Sequence, residues 1–392
     1  MASPSFFQMR TTLYDDDPYP IYRFFRANDP VHKARDQRIW YLFRDADVAE
    51  LLRDERLTSE QIFPDLSRVP ENLLPMMEMR PRWMLTRDGP EHTRLRTPVA
   101  RTFTPQRVAA LVPRFESLAD SLLESCLSLG QFDAIEDYAL PFVRIGMAEL
   151  SGIPEGQRPD FSRCVADMET VTNTREAIER MAAATQELGN LFHDLLAVRR
   201  ARPTSDLISA IAALEGDNFS SDDQIATCVL LISAGAGVTV GAIGNSLLAL
   251  LLNRDECARF RDGEIGRNDA VEELMRFDST SASLQRTARE DLEISGTRIS
   301  RGDRVLGVVG SANRDPEVFA DPDRLDLTRR SSDHLAFGRG MHFCIGASLA
   351  RAQVRIALER LLLRAPDLRR TRASLVWRGG LQRALSSLPV TI

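Results

Sequence analysis

Residues 334–351 read HLAFGRGMHFCIGASLAR, and this stretch decides the fold. Its centre is Cys344, preceded by Phe337, Gly338, Gly340 and His342 and followed by Gly346. Glycines at 338 and 340 allow a tight turn whose backbone N–H groups point at a sulfur. A free cysteine is most often an inert, buried apolar residue. The signal therefore lies in the pattern around the thiol rather than in the thiol itself.

Working outward, the other cysteines, Cys126, Cys164, Cys228 and Cys257, are widely spaced with no CxxC pair. Neither a disulfide framework nor a zinc site is expected from five such residues. The 392 residues are 43% hydrophobic and 27% charged with a net charge of -6, ordinary values for a globular protein with a sizeable core. Nothing in that balance points to a nucleic-acid partner. Among 50 basic residues Lys33 is the one lysine, an arginine bias that reports codon usage more often than chemistry. The N-terminus, MASPSFFQMR, lacks a basic segment followed by an apolar run, so no signal peptide is read and a cytoplasmic protein is expected.

One segment tests that expectation. Residues 228 to 252, CVLLISAGAGVTVGAIGNSLLALLL, carry no charge and are long enough to span a bilayer. They include a GxxxG from Gly237 to Gly241. The segment is solitary, internal and rich in Ser, Gly, Thr and Asn, and it is flanked by Asp222, Asp223, Arg254 and Asp255. A helix apolar all round equally suits the centre of a large domain, which is the reading favoured here. Ser220 to Asp223 form an N-cap with acidic first-turn residues. With its end near Asn253, the helix has about 30 residues and runs about 45 Å.

From Pro105 to Ile265 apolar residues recur at helical intervals, with breaks at Gly130, Ser151 to Pro154 and near Pro203. Strand-like runs are short, at 39 to 43, 292 to 299 and 304 to 309. A mainly α chain with small β-sheets is predicted.

The loop around Cys344 resembles the cysteine-ligand loop of the cytochrome P450 family, FGxGxHxCxG. The match implies the P450 fold, with haem b between the long central helix and the helix that follows the Cys loop, and Cys344 as the iron ligand. A thiolate ligand donates electron density that favours O–O cleavage. In that setting Gly346 lets the next helix start against the porphyrin, and Phe337 packs beside the sulfur and limits water. Further matches run from Asp88 to Arg351 in family order, and before them the N-terminal stretch DPYPIYRFFRANDP also resembles the family. In DGPEHTRLR, His92 and Arg96 share a helical face and are expected at the haem propionates, whose buried carboxylates need cations. Arg286 in LQRTARED and His342 are similar partners. Glu273 and Arg276 in EELMR match the family's ExxR, with Arg324 in FADPDRLDL as the third member of that structural network. The resemblance implies one domain, residues 1–392, of a bacterial, actinomycete-like biosynthetic type.

The chain departs from the family on the long helix, where a pattern like AGxETT places an acid and an alcohol beside the bound dioxygen. Here Ala234 and Gly235 match the AG, Gly237 stands at the acid and Val238 at the alcohol. Thr239 matches the second Thr but lies about 100° round the helix. Reducing dioxygen consumes protons, so substrate hydroxyls or ordered water, or Ser233 or Thr239 after local distortion, complete the relay. The small residues at 234 to 237 are expected to widen the groove and leave room for water. A register in which Thr239 is itself the alcohol stays open.

The implied function is oxidation of a small-molecule secondary metabolite such as an antibiotic, by hydroxylation or epoxidation. Dioxygen is the co-substrate, and electrons come from a ferredoxin and ferredoxin reductase to a monomer. Arg339 and Arg101 are candidate docking cations. Oxidative cyclisation, coupling or rearrangement without oxygen insertion is the alternative, and a catalytically silent haem-binding accessory protein is a third. Substrate contacts are expected from the loop before His92, from residues 160 to 180, from the long helix, from residues 277 to 284, which include STSAS at 279 to 283, and from the turn near 381 to 387. Met76, Met77, Met79, Trp83, Met84 and Leu85 in the first of these are either an adaptable apolar roof or core packing. Arg80 and Arg82 are either carboxylate binders or solvated surface arginines.

Overall fold

Ser220 and Asp223 cap each other: the Asp223 amide donates to Ser220 Oγ at 3.2 Å, and the Ser220 amide donates to an Asp223 carboxylate oxygen at 3.0 Å. This reciprocal box satisfies two of the amides a helix start leaves unpaired. The apolar segment behind it forms a single helix, Ser221–Leu252. At 32 residues it runs about 48 Å. Among the described residues it is the one helix long and apolar enough to cross a membrane, yet 72% of its most apolar stretch is buried inside the protein.

The computed structural model describes residues 17–34, 37–60, 65–169, 174–214, 219–330, 333–378 and 382–392; the segment MASPSFFQMR lies outside them. The chain is mainly helical with small sheets, as its pattern predicts. Helices Pro105–Ser128, Leu140–Ser151 and Arg175–Ala201 stop at the three predicted breaks. Two compact units emerge: residues up to Thr58 with Glu116–Leu140 and Val238–Ile392, and Ser59–Phe115 with Pro141–Gly237.

The first unit holds a five-stranded sheet in the order Val31–Lys33, Ile39–Leu42, Arg304–Val308, Ser283–Ala288, Leu57–Thr58. The Ile39–Leu42 and Arg304–Val308 strands pair in parallel and the other neighbours are antiparallel. Leu42, Val48, Leu51, Ile294, Val305 and Leu335 pack into one core cluster around it. Tyr22 and Phe25, from the helix Tyr19–Asn28 that DPYPIYRFFRANDP forms, pack with Phe43 in a second cluster. Residues 292 to 299 fold back on themselves as a small hairpin.

The same unit is locked by ExxR. Glu273 and Arg276 are fully buried and bonded through both carboxylate oxygens, at 2.7 and 2.8 Å. Arg276 also donates to the carbonyls of Asn313 and Pro322, at 2.7 and 3.0 Å. Each additional bond offsets part of the cost of burying the charges. The third member is not the expected Arg324. That residue sits exposed on the turn opened by Asp321, whereas Arg329 turns inward and reaches Glu273 at 3.2 Å. Arg329 also donates to the carbonyls of Ala320 and Asp321, so it holds the loop's path as well as the charge. Asn313 continues the network: its amide donates to Ser279 Oγ at 2.7 Å, and its side-chain carbonyl accepts from the Leu335 amide at 2.7 Å.

In the second unit, helix Arg175–Ala201 packs on Arg158–Met168, Leu207–Ala212 and Leu74–Met79. The first part of the long helix, up to Gly237, belongs here, and the rest belongs to the first unit.

Candidate functional site

The Cys344 loop hangs from Leu335, which is buried and tied to Asn313. The Gly338 amide donates to Leu335 O, and the Cys344 amide donates to Phe337 O, both at 2.9 Å. Closing so short a loop drives the backbone left-handed at Gly338 (φ 70°) and Gly340 (φ 72°), a conformation that side chains resist. At Gly340 there is also no space: a Cβ there would lie 2.6 Å from the Leu52 carbonyl oxygen. Helix Ala347–Arg364 begins just beyond, with Gly346 at its N-cap position. Cys344 therefore sits just before a helix N-terminus, the positive end of the helix dipole.

Phe337 is buried under a cation. The Arg351 guanidinium lies 4.3 Å from its ring, and the His334 ring is 5.9 Å away. Glu272 holds both basic groups. Arg351 donates to its two oxygens, one of them at 2.8 Å, and His334 Nε2 meets it at 3.2 Å. His334 Nδ1 accepts from the Ala336 amide, so the proton belongs on Nε2. Burial pushes the Glu272 carboxyl up, but the bonds from His334 and Arg351 outweigh it and bring the pKa down to about 2. The sequence marks none of this trio as support for Phe337.

The five thiols separate clearly. Cys126, Cys164, Cys228 and Cys257 are buried, whereas Cys344 is partly exposed. Burial raises the pKa of all four buried thiols, that of Cys164 to about 11. Next to Cys344, a Cβ on Gly346 would meet nothing within 4 Å, so open space faces the start of the helix. An accessible thiol with an open flank is the donor a haem iron needs on its sulfur side. Arg286 on strand Ser283–Ala288 and His342 are half-buried in the same unit. In the second unit His92 is 3% exposed and Arg96 half-buried, one turn apart on helix Gly89–Ala100. Hydrogen-bond donors of this kind, arginine guanidinium groups among them, suit the carboxylates of a haem, so the residues present fit the group.

Comparison with known proteins agrees. Residues 268–364 match the family model described as Cytochrome P450. The chain is 37% identical over 390 residues to the vitamin D(3) 25-hydroxylase of Pseudonocardia autotrophica, covering 96% of this chain and 94% of that one. The cytochrome P450 monooxygenase PikC of Streptomyces venezuelae is 34% identical over 389 residues, with 95% and 91% covered. The chain belongs to the cytochrome P450 family. The solved structure of P450BioI in complex with an acyl carrier protein ligated to hexadec-9Z-enoic acid superimposes with a TM-score of 0.89 at 31% identity, covering 98% of this P450 and 99% of that chain. This P450 is thus an oxidoreductase of the monooxygenase type that uses haem and dioxygen on a small molecule, with redox partners.

On the long helix of this P450, Ala234 is exposed and Val238, one turn on, is half-buried, while Thr239 is 4% exposed. The open stripe thus carries Ala234 and Val238. At the two glycines beside that stripe the helix is closely approached. A Cβ on Gly235 would lie 3.2 Å from Met147 Cε, and one on Gly237 would lie 3.0 Å from Glu169 Oε1. The absence of a side chain at these two positions admits Met147 and Glu169. Glu169 ends helix Arg158–Met168 and pairs with Arg144 at 3.3 Å; nothing in its local sequence marks it. Gly241 is likewise a contact point, 2.6 Å from Thr280 Cγ2 when given a Cβ.

The expected substrate regions divide. Met76 and Met84 are core residues, while Met77, Met79, Pro81, Arg82, His193 and Ile225 line an open groove of about 640 Å³. Arg82 is engaged by Asp222 at 3.1 Å and Asp223 at 3.2 Å, and Arg80 lies 5.9 Å from the Trp83 ring. Ser279 bonds Met275 O, and Thr280 is buried, so these two hydroxyls of STSAS face the protein. Arg383, near the last predicted contact, pairs with Asp278 and stacks on Trp377. Residues 170–173 and 379–381, within or beside two of those regions, lie outside the described residues.

Proposed function

We propose that this P450 is a haem-thiolate monooxygenase that hydroxylates or epoxidises a secondary metabolite of the antibiotic kind. Its electrons come from a ferredoxin and ferredoxin reductase, and it works in the cytoplasm as a monomer, with residues 1–392 acting as one domain. The observation that carries this reading is the partly exposed Cys344 just before a helix N-terminus, beside open space and inside the glycine-turned loop. Haem b, when bound, supplies the iron at which dioxygen is reduced, and a thiolate ligand favours O–O cleavage.

The residues have separate tasks. Cys344 ligates through Sγ, with Phe337, Gly338 and Gly346 shaping its surroundings. His92, Arg96, Arg286 and His342 neutralise the propionates, since buried carboxylates need cationic partners. Ala234, Gly237, Val238 and Thr239 form the oxygen-side wall. Val238 carries no proton, so delivery is assisted by substrate or water; one missing general-acid contribution is commonly worth ~10²–10⁴-fold in rate.

The absorption spectrum of the reduced carbonyl complex tests the ligand. The wild type should show the long-wavelength band of a thiolate, and Cys344→Ser should lose it. A wild type without that band ends the reading. The same Gly237 and Val238 favour a second reading, oxidative cyclisation, coupling or rearrangement without oxygen insertion; product free of label from ¹⁸O₂ would select it. Turnover with a surrogate ferredoxin system would eliminate a silent accessory role.

A further inference from the structure

We propose that Glu169 supplies the carboxylate of the proton relay that the long helix lacks at Gly237, an inference that rests on the monooxygenase reading. The missing acid and this remote one are two halves of a single arrangement. A Cβ on Gly237 would lie 3.0 Å from Glu169 Oε1, 3.1 Å from its Cδ and 3.4 Å from its Cγ. The carboxylate thus occupies the volume in which a side chain at 237 would begin. Any side chain there would push the carboxylate aside by a few tenths of an ångström.

The setting suits proton transfer better than structure. Glu169 follows the last turn of helix Arg158–Met168, its amide bonded to the carbonyls of Val165 and Ala166. That is the negative end of the helix macrodipole, a poor place for an acid chosen for stability. Its cation partner is Arg144, whose Nη2 reaches Oε2 at 3.3 Å, longer than the ~2.7–2.9 Å of a strong charge-assisted bond. One oxygen meets Arg144 and the other lies against the long helix. The side chains are 18% exposed at Arg144 and 10% at Glu169, so the pair reaches from solvent to the buried flank of Gly237. In the relay, a proton leaves a carboxyl oxygen of Glu169 towards water on the oxygen side and is replaced from solvent. The residue ends each turnover as it began, and the electrons come from the redox partner.

The test uses the holoenzyme with a surrogate ferredoxin system and measures peroxide released per NADH consumed. Glu169→Gln keeps the shape and the Arg144 contact but carries no proton. It should raise the peroxide fraction, cut coupled turnover at least ~10-fold and enlarge the solvent deuterium isotope effect, with the thermal midpoint and the long-wavelength carbonyl band unchanged. The infrared C–O stretch of the reduced carbonyl complex should shift. Gly237→Ala, which leaves Glu169 intact but pushes it away, should uncouple in the same direction. Glu169→Ala combined with Gly237→Glu should recover coupling that Glu169→Ala alone loses. An unchanged peroxide fraction and C–O stretch in Glu169→Gln, with the carbonyl band present, overturns the role of Glu169 and leaves the monooxygenase reading standing. A wild type lacking the band overturns both.

Discussion

The Cys344 loop and the 234–239 stretch of the long helix differ in where their constraints originate. In the loop, each requirement falls on the residue that meets it: left-handed backbone at Gly338 and Gly340, and an open flank at Gly346. On the helix, what matters at Gly235 and Gly237 is who comes to them, Met147 from one helix and Glu169 from the end of another. A motif therefore persists in the first region and dissolves in the second. The surroundings on the helix side are assembled by packing.

The sharpest way to break this comparison is to attack the frame behind the loop. Arg276→Ala leaves Glu273 buried without its bidentate partner, a change that should cost about 3–5 kcal/mol. Denaturant titration and haem content should fall together. If stability is unchanged, the ion pair does not hold the loop. Next in size is Gly340→Ala, which combines unfavourable φ with a 2.6 Å clash against Leu52 O. We expect a loss of about 1–3 kcal/mol, the usual cost of one strained residue, and a weakened long-wavelength band. The corresponding Gly346→Ala, with nothing within 4 Å, should fold normally.

Val238→Thr probes the other region. Restoring the alcohol on the open stripe should change peroxide uncoupling with the native substrate by a few-fold. No change in either coupling or rate would show that 238 does not face the oxygen, and would return the role to Thr239. The smallest effect concerns Glu272, whose carboxyl falls from the usual 4.5 to about 2 in the folded chain. A depressed acid contributes stability that is fully present above pH 4.5 and is lost as pH falls towards 2. In Glu272→Gln that part of the acid-unfolding curve should flatten; an identical acid branch would mean the trio does not support Phe337.

Much of the fold was legible because local chemistry dictated it. The Ser220 to Asp223 start, the end of the long helix beside Asn253 and the breaks at Gly130 and Gly152 depend on residues that act where they stand. The ExxR pair was legible for the same reason, with both partners one turn apart on a helix. Its third arginine was not. Arg324 and Arg329 share one loop, and the path of that loop, rather than their spacing, turned Arg329 inward. Nor did composition reveal that Met147 and Glu169 would pack against Gly235 and Gly237, since both lie far off in sequence and share no periodicity with them.

Asn313 joins two structures that otherwise have separate duties: its backbone carbonyl accepts from Arg276, and its side chain accepts from the Leu335 amide at the root of the Cys344 loop. The ordering entropy of that loop is therefore met while the polypeptide folds rather than when haem arrives. Preorganisation of this kind makes cofactor capture a docking onto a finished surface. It should also let the haem-free chain keep its native shape until the porphyrin is supplied.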